Sequence, residues 1–322
     1  MKICVYGAGA IGGHVAARLF KGGADVSVVA RGATLAAIRD RGLQVTAPDG
    51  QIVAPVRASA DPAELGVQDA VFITVKAPAL PAIAASIGPL LGPRTPVVFA
   101  MNGIPWFYHF GAGDQRIERL DPGGVLWSAI GPERAIAGVV YSSCTVTTPG
   151  AIHVESKLSR LVLGEPGGDI SQRLLDIAAS LTAGGMDGAT TDRTREIIWS
   201  KLLLNLGIGL IGVLTGAAPS VFFAEEGCRA VTRAVLAEGT AIAAAMGCHV
   251  QPNAETHIRN GMASHHKTSI LQDYELGRPM EIDALYTVPL EMARSKGVAT
   301  PMLDMLVAMA RSRARGAGLY TG

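Results

Sequence analysis

Apolar runs alternate with amphipathic stretches through the first hundred residues. Residues 2–6 (KICVY) read as a strand, IGGHVAARLFKGG as a helix, residues 24–30 (ADVSVVA) as a second strand and LAAIRDRG as another helix. Two more strands are predicted at 70–75 (AVFITV) and 96–100 (PVVFA), with an Ala-rich helix, APALPAIAASIGPLL, between them. These strands are apolar throughout rather than alternating, as in a parallel sheet covered by helices on both faces. From 102 to 168 the chain becomes rich in Gly, Pro, Thr and Val, with strand-like runs at GVVYSSCTV, AIHVE and RLVLG. That predicts a partly antiparallel edge. Beyond about 190 the pattern turns helical. The expected fold class is therefore α/β, a sheet domain over residues 1–190 followed by an all-α domain over 191–322.

The length of 322 residues agrees with two domains at roughly 150 residues each. Hydrophobic residues make up 49% and charged residues 17%, enough apolar material for a sizeable core, which excludes global disorder. Basic and acidic side chains nearly cancel, 28 against 27, which argues against a nucleic-acid surface. Cys4, Cys144, Cys228 and Cys248 form no C-x-x-C pair and read as reduced thiols. The start, MKICVYGAG, reaches a glycine turn before a signal-type apolar stretch, so a cytoplasmic protein is expected. Residues 202–224 carry no charge and are long enough to span a bilayer, but Asn205, Pro219 and several glycines favour a buried core helix and its following turn.

Gly7-Ala8-Gly9-Ala10-Ile11-Gly12 is a G-x-G-x-x-G placed straight after a strand and opening a helix. Glycine there permits a tight turn and close approach of backbone to a pyrophosphate seated at the helix N-terminus. The first domain is accordingly expected to be a Rossmann-type dinucleotide-binding domain. After the second strand, where an NAD enzyme places an acidic residue on the ribose 2′-hydroxyl, this chain has Ala30-Arg31-Gly32. A guanidinium suits a 2′-phosphate, so NADP(H) is the expected cofactor, the alternative being a loop arginine in solvent. Lys76 and Asn102-Gly103 follow two further strands, at the sheet edge where such folds bind ligands; separately they also read as a strand-end charge and a turn.

In the helical half, Lys201 and Asn205 lie four apart in IIWSKLLLNLGIGL and share one face of an apolar helix. Burying an ammonium is costly unless it has a partner or a task, and the companion asparagine suggests a lined cleft rather than a lysine reaching out to water. Further on, HKTSILQD leads into GRPMEID. Spacing alone favours Ser269 as a cap or near-cap residue and Asp273 and Glu281 as solvated charges. His265-His266 lack a third ligand at regular spacing, so no metal is expected.

Taken together, GAGAIG, Arg31, TVKA around Lys76, Asn102-Gly103, W-x-K-x-x-x-N at Trp199, Lys201 and Asn205, KTSILQD, GRPMEID and GVATP resemble the ketopantoate reductase (2-dehydropantoate 2-reductase) family. The match covers both ends and is loose over 106–190. It implies NADPH-dependent reduction of a small 2-oxo acid in pantothenate biosynthesis. Lys201 would protonate the ketone oxygen while the nicotinamide delivers hydride, and Glu281 would orient the lysine and contact the substrate hydroxyl. Asn205 and Ser269 would hold substrate, with Asn102 and Lys76 at the junction of cofactor and substrate. The active cleft is expected between the two domains.

Two departures bear on the pocket. The family pattern N-x-x-x-N-P ends here in Gly209-Leu210, and the Asn-Gly that follows EID in the family is Tyr286-Thr287. They leave the hydride machinery in place and open two alternatives: reduction of a different ketone or an imine, and a non-catalytic NADP(H)-binding sensor. Residues 106–132 form an insert-like stretch, either a cover over the active site or a surface excursion. A small-molecule substrate is the expected partner, with no nucleic acid or membrane, and the apolar helical half is where a homodimer would form.

Overall fold

Strand β1 (Lys2–Tyr6) lies inside an eight-stranded sheet and pairs in parallel on both sides. The computed structural model describes residues 1–113 and 115–322; the chain forms two units, Met1–Met101 with Pro105–Thr194, and Asn102–Ile104 with Arg195–Gly322.

In the first unit, β1 leads through α1 (Ala10–Lys21), β2 (Asp25–Val29) and α2 (Gly32–Arg41) to a hairpin of β3 (Leu43–Ala47) and β4 (Gly50–Ala54). Then come β5 (Arg57–Ser59), β6 (Ala70–Ile73), α3 (Leu80–Ala84), β7 (Val97–Ala100), α4 (Val125–Ala129) and β8 (Ala135–Tyr141). The unit ends with β9 (Cys144–Thr148), β10 (Ala151–Val154), β11 (Arg160–Gly164), α5 (Gln172–Ala183) and β12 (Asp187–Thr190). The large sheet has the order β12-β11-β8-β7-β6-β1-β2-β5 and is parallel except where β11 meets β8. That antiparallel pair is the edge character read from the Val- and Gly-rich middle of the sequence.

The chain moves outward from β1 to β2, then returns to β6 on the other side, so the topological switch falls at the end of β1. A second sheet, β4-β3-β10-β9, covers α1. The helix buries Val15, Ala16, Ala17 and Leu19, and Gly13 is forced: a Cβ there would lie 2.5 Å from Ile152 of β10.

The predicted Ala-rich helix after β6 is instead three short pieces, Ala77–Ala79, α3 and Gly88–Leu90, each with proline in its first turn. Proline starts a helical turn readily but cannot continue one, so Pro78, Pro81 and Pro89 punctuate the segment. The 106–132 stretch, of which Asp114 lies outside the described residues, is anchored by aromatic packing. Trp106 and Phe107 are buried against Phe99 of β7 with ring centroids 5.6 and 5.3 Å away. The buried Asp121 carboxylate accepts the Leu126 and Trp127 N–H groups at 2.8 and 3.0 Å, tying down the start of α4.

The second unit holds α6 (Thr194–Thr215) beyond its first residue, α7 (Pro219–Phe222), α8 (Glu226–Ala245), α9 (Ala254–Met262) and α10 (Ser269–Glu275). A π-helical segment Asp283–Thr287 then runs into α11 (Val288–Ser295), and α12 (Pro301–Gly316) closes the unit. Among the described residues α6 is the one helix long and apolar enough to cross a membrane, and more than half of its most apolar stretch is buried inside the molecule. The uncharged run does not continue as one helix: Gly216, at φ +71°, ends α6, and α7 begins at Pro219. On α8, Glu238 accepts the N–H groups of Met302 and Leu303 at 2.9 and 2.8 Å, placing a carboxylate at the positive N-terminus of α12.

Candidate active site

The glycine turn follows β1 at the switch point. Gly7 has φ +104°, a conformation that favours glycine, and its N–H donates to the Val29 carbonyl at 3.0 Å. The Thr74 hydroxyl donates to the Gly7 carbonyl at 2.6 Å, which pins the turn to the end of β6. Gly12 lies so close that a Cβ would stand 1.8 Å from the same oxygen. Gly9 is the opposite case: a Cβ there would meet nothing within 4 Å. Gly9 is also the N-cap of α1 and makes no side-chain cap bond, so the first-turn N–H groups at Ala10 and Ile11 face outward without a capping side chain. Open space beside an uncapped helix start, on a turn fixed from behind, fits a dinucleotide pyrophosphate.

Arg31 is exposed at the N-cap of α2, just beyond β2. Lys76 is half-buried and caps the turn Ala77–Ala79 beyond β6. Both stand at the ends of strands that flank β1.

In the second unit, Lys201 and Asn205 are half-buried on one face of α6. Burial lowers the Lys201 pKa below the ordinary lysine value. Asn205 donates from Nδ2 to Oδ1 of Asn102 at 3.4 Å, so the segment 102–104 is part of this site. The segment is clamped from its other side. The Ile104 N–H donates to the Ala284 carbonyl at 2.9 Å, and Gly103, at φ +86°, leaves no room for a Cβ, which would meet that carbonyl group at 2.6 Å.

Asp273 and Glu281 are 2% and 7% exposed, so the solvated reading favoured by spacing is incorrect. Both are enclosed by apolar neighbours in sequence, Ile270-Leu271 and Met280-Ile282, that the fold buries. Ser269 is exposed in the first turn of α10, with Thr268 at the cap position.

Gly209 and Tyr286, the two departures from the family pattern, touch. A Cβ on residue 209 would lie 2.4 Å from the Tyr286 hydroxyl oxygen. Burial, and then the charge of Glu281, raise the Tyr286 pKa, so the phenol stays protonated. Thr74 and Tyr286 are the site features that sequence reasoning did not assign. Thr74 sits in the same TVK run that drew attention to Lys76, and Tyr286 registered only as a departure.

A switch-point glycine turn in one unit and a desolvated lysine with an asparagine pair in the other define the class, a dinucleotide-dependent oxidoreductase. The family profile described as ketopantoate reductase PanE/ApbA matches residues 3–168, and that of its C-terminal domain matches residues 193–314. A 2-dehydropantoate 2-reductase from Mesorhizobium japonicum is 42% identical over the full length of both chains. The crystal structure of a 2-dehydropantoate 2-reductase from Geobacter metallireducens GS-15 superposes with a TM-score of 0.85 at 27% identity, covering 97% of this chain and 99% of that one. The structure of D-mandelate dehydrogenase with NADH and anilino(oxo)acetate has a TM-score of 0.83 at 18% identity, over 99% of this chain and 100% of its own, a likeness of fold. The chain belongs to the ketopantoate reductase family and is an oxidoreductase acting on a CH–OH group.

Proposed function

We propose that this enzyme reduces 2-dehydropantoate, or a closely similar small 2-oxo acid, to the 2-hydroxy acid with NADPH. The observation that carries the reading is Lys201, a desolvated lysine on the same helix face as an asparagine tied to Asn102. The full-length similarity to a 2-dehydropantoate 2-reductase supports the substrate class.

The residues that would hold the cofactor are Gly7, Ala8, Gly9, Ala10, Ile11 and Gly12 at the pyrophosphate, Arg31 at the 2′-phosphate, and Lys76 and Asn102 toward the nicotinamide. The nicotinamide, when bound, supplies a hydride to the carbonyl carbon. As that bond forms, the carbonyl π electrons collect on oxygen, and Lys201 gives its Nζ proton to that oxygen. Desolvation makes Lys201 a stronger acid than a lysine in water, which suits a proton donor working below the ordinary lysine pKa. Before transfer, its positive charge stabilises the developing alkoxide. Glu281, buried nearby in the sequence order of the site, orients the lysine, while Asn205 and Ser269 hold the substrate. The balance is 2-oxo acid, NADPH and one proton giving 2-hydroxy acid and NADP⁺. The enzyme works in the cytoplasm on this reading, where its four free thiols stay reduced.

Oxidation of NADPH is to be followed against a panel of 2-oxo acids that includes ketopantoate, with NADH alongside. Saturable turnover of ketopantoate with NADPH supports the proposal; NADPH binding without turnover of any member overturns it. A second reading, reduction of a different ketone or an imine by the same groups, is favoured by Tyr286 closing over Gly209, and turnover of such a compound in place of ketopantoate would establish it.

A further inference from the structure

The Tyr286 ring is 1% exposed, and its hydroxyl has no hydrogen-bond partner among the described residues. Buried hydroxyls are almost always paired, so an orphan needs a reason. The segment that carries it, Asp283–Thr287, is π-helical. Such single-turn widenings re-aim side chains and recur at functional sites. Here the hydroxyl is aimed at α6, where the missing side chain of Gly209 leaves it room; the next neighbour of a Cβ at 209 would be Ile270 at 3.5 Å. Lys201, Asn205 and Gly209 occupy successive turns of one stripe of α6. Eight residues of helix rise about 12 Å, so the hydroxyl stands two turns beyond the lysine. A ketone held at Lys201 keeps its neighbouring carboxylate close to that end and sends the remainder of the molecule toward Tyr286.

We propose that the Tyr286 hydroxyl determines specificity by donating a hydrogen bond to a polar substituent at the end of the substrate remote from the ketone. This deepens the proposed function and rests on it. Because burial and Glu281 keep the phenol neutral, it is a donor without charge, suited to a hydroxyl oxygen.

The test compares two compounds of one skeleton, ketopantoate and 3,3-dimethyl-2-oxobutanoate, which lacks its 4-hydroxyl. The wild type is expected to prefer ketopantoate in kcat/KM by tenfold or more. Tyr286→Phe is expected to lose about tenfold on ketopantoate and less than twofold on the other compound, with NADPH affinity unchanged. Gly209→Ala, whose Cβ displaces the hydroxyl, is expected to erase the same preference and to add nothing further in the Tyr286→Phe background. Equal losses on both compounds, or a preference that survives Tyr286→Phe, overturn this proposal alone. A wild type that reduces neither compound overturns the 2-oxo acid reading and this proposal with it.

Discussion

The α-carbon of Gly12 faces the carbonyl oxygen of Gly7 so closely that a Cβ would stand 1.8 Å from it, whereas a Cβ on Gly9 would touch nothing within 4 Å. The two glycines therefore fail differently. Gly12→Ala must move backbone or the Thr74 hydroxyl that braces it, and should cost about 1–3 kcal/mol or more of stability in urea unfolding. Gly9→Ala should unfold like the wild type yet bind NADPH at least tenfold more weakly by fluorescence titration, because its methyl group enters the space assigned to the pyrophosphate. Wild-type NADPH affinity in Gly9→Ala would remove the glycine turn from the binding site.

Lys201 makes the pH profile informative. Burial lowers its pKa, so it loses its proton at a pH below the ordinary lysine value of 10.5. A proton donor must carry its proton, so kcat/KM for reduction should fall with rising pH, beginning below 10.5. Oxidation of the 2-hydroxy acid, which needs the neutral amine as base, should rise over the same interval. Lys201→Ala should lower kcat by about 10²–10⁴-fold and leave NADPH binding intact. Turnover within a few-fold of wild type in Lys201→Ala would assign the proton to another group, and a non-catalytic sensor would show no dependence on this residue at all.

Arg31 stands exposed beyond β2, where it can reach a phosphate without first leaving a buried partner. Arg31→Ala should weaken NADPH by tenfold or more and NADH by less than twofold, the size of one charge-assisted contact. Isothermal titration with both cofactors decides it: equal losses place Arg31 away from the 2′-phosphate.

What could be read in the sequence was local. The glycine turn, the apolar strands and the i, i+4 pair Lys201 and Asn205 each declare themselves within a few residues, because strand burial and helix periodicity are properties of short segments. The β3–β4 hairpin was not foreseen. Its residues are exposed on one face, and it belongs to a sheet through β10, a hundred residues further on. Proline decided the Ala-rich segment after β6 against the continuous helix its composition favoured. The candidate site suffers most from distance along the chain. Asn102 meets Asn205 across 103 residues, and the burial of Glu281 and the meeting of Tyr286 with Gly209 are settled by packing that no local pattern carries.

A last prediction concerns stability in acid. His14 on α1 is wholly buried, with Nε2 3.0 Å from the Ser159 hydroxyl. Burial, and then the positive charge of Arg18, lower its pKa from 6.5 to about 4. The unfolded chain therefore binds a proton near pH 6.5 that the folded chain refuses until about pH 4. Between those values the unfolded state holds more protons, so stability is complete above 6.5 and declines as pH falls toward 4, by about 3 kcal/mol at most. Asp49 acts in a different window. Its bidentate hydrogen bonds from Arg18, at 2.6 and 2.7 Å, hold its carboxyl below the usual range, so its contribution is lost only below about the ordinary aspartate pKa of 3.8. Urea unfolding of wild type and His14→Gln at a series of pH values from 7 down to 4.5 separates the two. Glutamine can still bond to Ser159 but does not titrate, so the variant should show a flat profile across this window. A slope equal to that of the wild type would assign the acid sensitivity to a group other than His14.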